Sequence, residues 1–323
     1  MRFFPFHARV AALGVPAVFL IAAFFLITCQ EVNSEEANDT PAFRFHPPAD
    51  SAEPFFHDVL AANFRPHGAL AFETDLGKVW FSIFTPGAET FHQSVATSQL
   101  LDGSLQEVEY PDLMGESSWG SPVPSSDGNR LYFILTAPIV DGGAEVQNIW
   151  YVERADSGWG TPVHLDIPMI GTFIGGQFTF GPEEGTIIIT MRPNGGVNTL
   201  YTTQLVEGNS YSSATALPST VNSIAREMDP WYDPQSQILF FSSDRVGTLG
   251  AADIYACRYL GEGQWSPAVN LGEQVNSPGY ERFSSVSPDG ECFFFSRDIM
   301  VNNQVAFDYY WISMKIVQEI VGE

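Results

Sequence analysis

Apolar residues in this chain fall in short unbroken runs separated by turns, with no sustained helical stripe. Five segments share one layout: a turn rich in Pro, Asp and Gly, then an apolar run usually closed by a small polar residue. They are TDLGKVWFS (74–82), SDGNRLYFI (126–134), PEEGTIIIT (182–190), PQSQILFFS (234–242) and PDGECFFFS (288–296). Their starts are 52, 56, 52 and 54 residues apart, a period in the range of propeller blades and too long for leucine-rich or ankyrin repeats. Runs such as LYF, III, LFF and FFF are apolar on successive residues. That predicts strands covered on both faces, since a half-exposed strand alternates.

Each repeat carries a second strand signal: NIWYVER from Asn148, NTLYTTQ from Asn198, DIYACRY from Asp253, DYYWISM from Asp308, and a degenerate QSVATSQ from Gln93. A turn and an aromatic follow, and 23 residues separate Trp159 from Pro182, Tyr211 from Pro234 and Trp265 from Pro288. That interval holds two short strands and a loop, so each repeat predicts four antiparallel strands. Sheets of this kind packed around an axis make a β-propeller. In the last repeat the outer strand falls due near Ile320, too close to Glu323 to form, while residues 51–60 are a strand without a blade. The expectation is therefore an all-β, five-bladed propeller over residues 49–323, closed by a strand at about Ala52–Leu60 paired with Asp308–Ser313.

The turn Ser287-Pro288-Asp289-Gly290, the strand Asp253-Ile254-Tyr255, the stretch Trp265 to Gly272 and the paired Val221-Asn222-Ser223 and Val275-Asn276-Ser277 resemble the TolB-like, WD-repeat-like (Pro-Asp repeat) propellers of bacterial exported proteins and lipoproteins. Residues 308–317 resemble the closing strand of a subgroup. The resemblance covers roughly residues 45–320, and implies fold and compartment. Function does not follow from fold.

Residues 11–28 carry no charge and follow Arg2 and Arg9, the layout of a signal peptide. Leu26-Ile27-Thr28-Cys29 resembles a lipobox, with Thr28 where a smaller residue is usual, so Cys29 is the expected lipidation site. A cleaved secretory signal and an uncleaved anchor are the other readings. All three place the domain outside the cytoplasm, in the periplasm or at the cell surface. Residues 29–48 are polar, acidic and poor in aliphatics, which predicts a flexible tether.

Charge narrows the partners. Fourteen Lys and Arg stand against 38 Asp and Glu, a formal charge of −24. Removing residues 1–28 removes two arginines and no acids, leaving −26. Such a chain repels nucleic acid and anionic headgroups, so membrane contact is expected through the N-terminal lipid alone. Three cysteines exclude a disulfide scaffold, and Cys257 and Cys292 read as buried thiols.

No strong catalytic motif is present, and His7, His46, His57, His67, His92 and His164 lack ligand spacing, so neither metal nor cofactor is expected. Five-bladed propellers also host glycosidases that use funnel carboxylates. Glu227 and Glu281 occupy equivalent places before their inner strands, with Asp229 and Arg282 nearby, while Arg192, Arg245 and Arg297 follow the second strands. These seven residues mark one candidate face. Either they hold a ligand, or the acids pair with the arginines blade by blade and Asn222 and Asn276 satisfy loop backbone. The preferred function is a non-enzymatic binding or scaffold module for an envelope protein or glycan. The alternative is a carbohydrate-active enzyme.

Overall fold

Both faces of the second strands are covered because each lies between two neighbouring blades. The computed structural model describes residues 45–58, 66–73, 77–84, 93–101, 104–111, 113, 117–140, 142–156, 158–168, 172–301 and 304–322. In the strand Thr186–Arg192, Ile187, Ile189 and Met191 pack with Tyr132 and Ile134 of the preceding blade. Ile188 points the other way, to Leu239 and Phe241 of the next.

Five antiparallel sheets result. Their inner strands are Ala71–Phe72, Trp119–Pro124, Thr172–Phe180, Glu227–Asp233 and Glu281–Val286 for blades I to V. The second strands are Lys78–Phe84, Arg130–Pro138, Thr186–Arg192, Ile238–Ser243 and Cys292–Val301, and the third Gln93–Leu101, Glu145–Ala155, Thr199–Glu207, Asp253–Gly261 and Gln304–Ser313. Each blade-to-blade interface has its own apolar cluster, including one that joins blade V to blade I through Phe294, Phe72 and Phe81. The ring is closed, with five blades as the repeat spacing predicts. In blades II to IV the outer strand is broken into two two-residue pieces, such as Gly158–Trp159 and Val163–His164. Pro162 and Pro267 lie in two of these breaks, where a residue without N–H cannot serve the ladder.

The seam joins the expected segments, but its strand is Glu53–Pro54 alone and not the expected Ala52–Leu60, because residues 55–58 turn away after the Phe55 bond. Glu53–Pro54 pairs antiparallel with Trp311 and Tyr310, and the Phe55 amide donates to the Tyr309 carbonyl at 2.7 Å. Residues 59–60 of the predicted strand lie outside the described residues. The packed chain starts ahead of residue 49: Phe45 is 2 % exposed and meets Phe55, Phe72, Phe294 and Trp311 edge-on or tilted at 5.6 to 6.0 Å. The signal peptide, Cys29 and residues 29–44 of the tether lie outside the described residues.

One element was not anticipated. The closing strand ends at Ser313, not near Val317, and Met314–Val321 form a helix, α1. The Met314 amide donates to the Glu291 carbonyl at 2.9 Å, while Met314 and Val317 bury into the cluster between blades IV and V. The Met314, Val317, Ile320 spacing carries that helical face. Cys257 and Cys292 are free, buried thiols in separate clusters, and burial pushes both well above the ordinary thiol range.

Candidate functional site

Two faces flank the ring. On the upper face lie the loops that lead into the inner strands and those that leave the second strands. On the lower face lie the turns from inner to second strand.

The upper face carries a module that occurs in blades IV and V. Glu227 and Glu281 are both 0 % exposed. Glu227 Oε1 accepts from Ser223 Oγ at 2.5 Å and Arg245 Nη2 at 3.0 Å. Glu281 Oε1 accepts from Ser277 Oγ at 2.5 Å and Arg297 Nε at 2.8 Å. Each arginine also donates to the backbone of its own blade's loop, Arg245 to Val221 at 2.7 Å and Arg297 to Val275 at 2.6 Å. Their guanidinium groups stack on Tyr255 and Tyr310. Asn222 and Asn276 each accept from one strand amide, Leu200 and Ile254, and return a bond to the same residue's carbonyl. The repeated Val-Asn-Ser-x-x-x-Glu with its arginine is thus a loop clamp, as the blade-by-blade pairing predicts. Burial pushes the Glu281 carboxyl up, against the pull of Ser277 and Arg297.

Asp229 and Arg282 break the repeat. They join blade IV to blade V, Arg282 Nε donating to Asp229 Oδ2 at 2.5 Å and Nη2 to Oδ1 at 3.1 Å. Asp229 is 1 % exposed and has φ +54°, at a bulge between Met228 and Trp231. Equivalent bulges put Ser121 and Phe283 at positive φ in blades II and V. Gly176 of blade III makes room, because a Cβ there would sit 2.1 Å from Asp229 Oδ1. Among the described residues Arg192 joins no acid. It is exposed and donates to Asn198 Oδ1 at 2.8 Å, since the blade III inner strand, TFIGGQFTF, has no carboxylate at the equivalent place.

Sequence reasoning passed over His67, which the structure brings to the axis beside Arg282. Its ring lies 4.7 Å from Phe84 and 5.0 Å from Phe283, and its Nδ1 pairs with Gln93 Nε2. Burial, then the Arg282 charge, pull its pKa down to about 3, so it is neutral. In the ladder His67 faces Ser82 as Met228 faces Ser242, but in sequence it stands seven residues before Thr74 where Met228 stands six before Pro234, so the repeat register alone does not align them.

Hydrogen bonds cross the waist of the axis. Ser121 donates its amide to Ser82 Oγ at 2.8 Å and its hydroxyl to the Gly176 carbonyl. Gln177 Nε2 reaches from blade III past blade IV to the Ser284 carbonyl of blade V at 2.8 Å. Below these bonds the lower mouth is a pocket of about 560 Å³, walled by the ends of all five inner strands: Phe72, Val123, Phe180, Trp231 and Val286, with Tyr132. At Ser125 and Tyr132 it adjoins a polar trough of about 450 Å³ with Asp127, Asn129, Arg130 and Glu153. The pocket is nearly free of charge. Asp233 accepts from the Ser236 amide and hydroxyl at 2.8 and 2.5 Å, and burial pushes the Tyr232 hydroxyl up to about 12.

Solved structures similar to this chain include TolB from Acinetobacter baumannii, at 16 % identity and TM-score 0.46 over 77 % of this chain. Another is the α-L-arabinofuranosidase PaAbf62A from Podospora anserina in complex with cellotriose, at 13 % identity and TM-score 0.47 over 83 % of this chain and 94 % of that one. These are likenesses of fold. The match spans 55 % of the Acinetobacter chain, about half its length. No protein-family model matches the chain, and no curated protein is significantly similar to it.

Proposed function

We propose that the chain is an exported member of the TolB-like lipoprotein group, lipid-anchored through Cys29 in the periplasm or at the cell surface. There it acts as a non-enzymatic binding module for a protein or glycan of the cell envelope. The observation that carries the binding reading is the state of the upper-face acids. Glu227, Asp229 and Glu281 are 0 to 1 % exposed and each is tied to an arginine. A glycosidase needs one carboxyl reachable as acid and a second as base or nucleophile, and these three are enclosed and neutralised. The lower mouth is concave, mostly apolar and within the size range of ligand pockets.

The enzymatic alternative draws on Asp229, whose left-handed backbone is the kind of strain that gathers at reactive sites. The two readings separate in one assay. The purified full chain is incubated with aryl glycosides and arabinoxylan, and in parallel passed over immobilised peptidoglycan and envelope polysaccharide. Retention without release of reducing ends is expected. Turnover that disappears in Asp229→Asn would overturn the non-enzymatic reading.

A further inference from the structure

The lower mouth has features that select among ligands. Its walls are aromatic and aliphatic, and Phe180 meets Tyr132 edge-on at 4.9 Å. The one carboxylate among its lining residues, Asp233, already accepts two bonds from Ser236. No Lys or Arg lines it. An ionic ligand would lose its water there without gaining a counter-charge, so the pocket takes a neutral group. Aromatic rings set edge to face, among aliphatic neighbours, suit a ring with an apolar C–H face.

The trough adds the second half of the specification. Arg130 donates Nε and Nη2 to Glu153 Oε1 at 3.0 and 2.7 Å and lies over the Tyr151 ring at 4.7 Å. Asp127 holds the neighbouring turn through Ser125 and Asn129. Donor and acceptor groups therefore lie side by side in the trough, held by these bonds. That matches a chain of vicinal hydroxyls and would be wasted on an aliphatic peptide side chain. The bonds of Ser121 to Gly176 and of Gln177 to Ser284 cross the axis at the inner end of the pocket, which favours a chain terminus over a chain threaded through.

We infer that the lower mouth binds the terminal sugar of a neutral glycan, with the next units lying in the trough past Arg130 and Glu153. This rests on the binding-module reading and names the ligand class and the face.

The test titrates the full chain with maltotriose, cellotriose and triacetylchitotriose, following saturation-transfer NMR and tryptophan fluorescence. Reducing-end release is measured on the same samples. The variants are Phe180→Ala in the pocket and Arg130→Ala in the half-exposed trough, each checked for an unchanged fold by circular dichroism, with Arg192→Ala on the upper face as control. At least one trisaccharide should bind, with affinity falling about tenfold in both lower-face variants, the scale of one lost stacking contact. Arg192→Ala should bind as wild type does. Binding equal in all variants would overturn the pocket while leaving the binding-module reading intact. Choline or a neutral tripeptide bound through the same residues, with no trisaccharide bound, would overturn the saccharide class. Release of reducing ends would overturn the reading beneath both.

Discussion

Phe55→Ala tests whether the ring depends on its seam. The ring of Phe55 is 3 % exposed and lies 4.9 Å from Phe294 and 5.2 Å from Trp311. The strand it anchors is two residues long, and the backbone bonds around it are few: Phe55 to Tyr309, Ala52 to Gln274 and Ser313 to Pro48, at 2.7 to 2.9 Å. Such bonds are worth about 1 kcal/mol each, whereas truncating a buried Phe costs about 3–5 kcal/mol. Ring packing therefore dominates. At roughly 2–4 °C per kcal/mol for a domain of this size, the midpoint should fall on the order of 10 °C. The contact joins residues 251 apart at His57 and Asp308, so losing it also exposes the edge of blade V. Calorimetry and limited proteolysis should show a lower midpoint with early cleavage within residues 45–58. A midpoint within about 2 °C of wild type, well inside the expected shift, would show that the N-terminal strand is not what closes the ring.

Three further outcomes follow from the same structure. The seam ion pair predicts a pH dependence: the Asp308 hydrogen bond raises His57 above its ordinary 6.5, so its stabilisation is complete below that value and lost as pH rises through the raised pKa. Burial pushes Asp308 up as well, countered by His57; melting temperature should decline as pH rises above the ordinary 6.5 and through the raised His57 pKa, and His57→Gln should flatten that decline. Gly176→Ala should drive a methyl onto Asp229 Oδ1 and cost about 1–3 kcal/mol, read as a lower urea midpoint with unchanged slope; an unaffected midpoint would mean that the Asp229–Arg282 pair does not brace the axis. Cys29→Ala should release the protein from membranes or leave the precursor uncleaved, and a variant that fractionates and migrates as wild type does would remove the lipid anchor.

Much of the ring is legible in the chain, because the two-sided apolar runs and their spacing are local consequences of strands buried between blades. Ile187 to Ile189 announce two covered faces without any knowledge of what covers them. The seam is legible by subtraction, since residues near Pro54 form a strand signal with no blade. Helix α1 was hidden behind the expectation that blade V continues as a strand, although Met314 and Val317 carry the helical spacing. The candidate site was less readable. Glu227 and Arg245 stand out as charges, yet their repetition at Glu281 and Arg297 marks them as loop clamps. Phe180 and Trp231 look like any other strand aromatics, and only the convergence of five strand ends turns them into the wall of a pocket. His67 is unremarkable until folding sets it beside Arg282, from a segment some 215 residues away.

The division of labour between the faces can be measured in one variant, Glu227→Gln/Glu281→Gln, assayed for thermal midpoint and for ligand retention together. If the acid–arginine pairs are scaffold, the midpoint falls, since each arginine loses its buried counter-charge at about 1–3 kcal/mol, and retention by the remaining folded protein equals that of wild type. Retention or turnover abolished at an unchanged midpoint would place the functional site on the upper face and contradict the assignment of binding to the lower mouth.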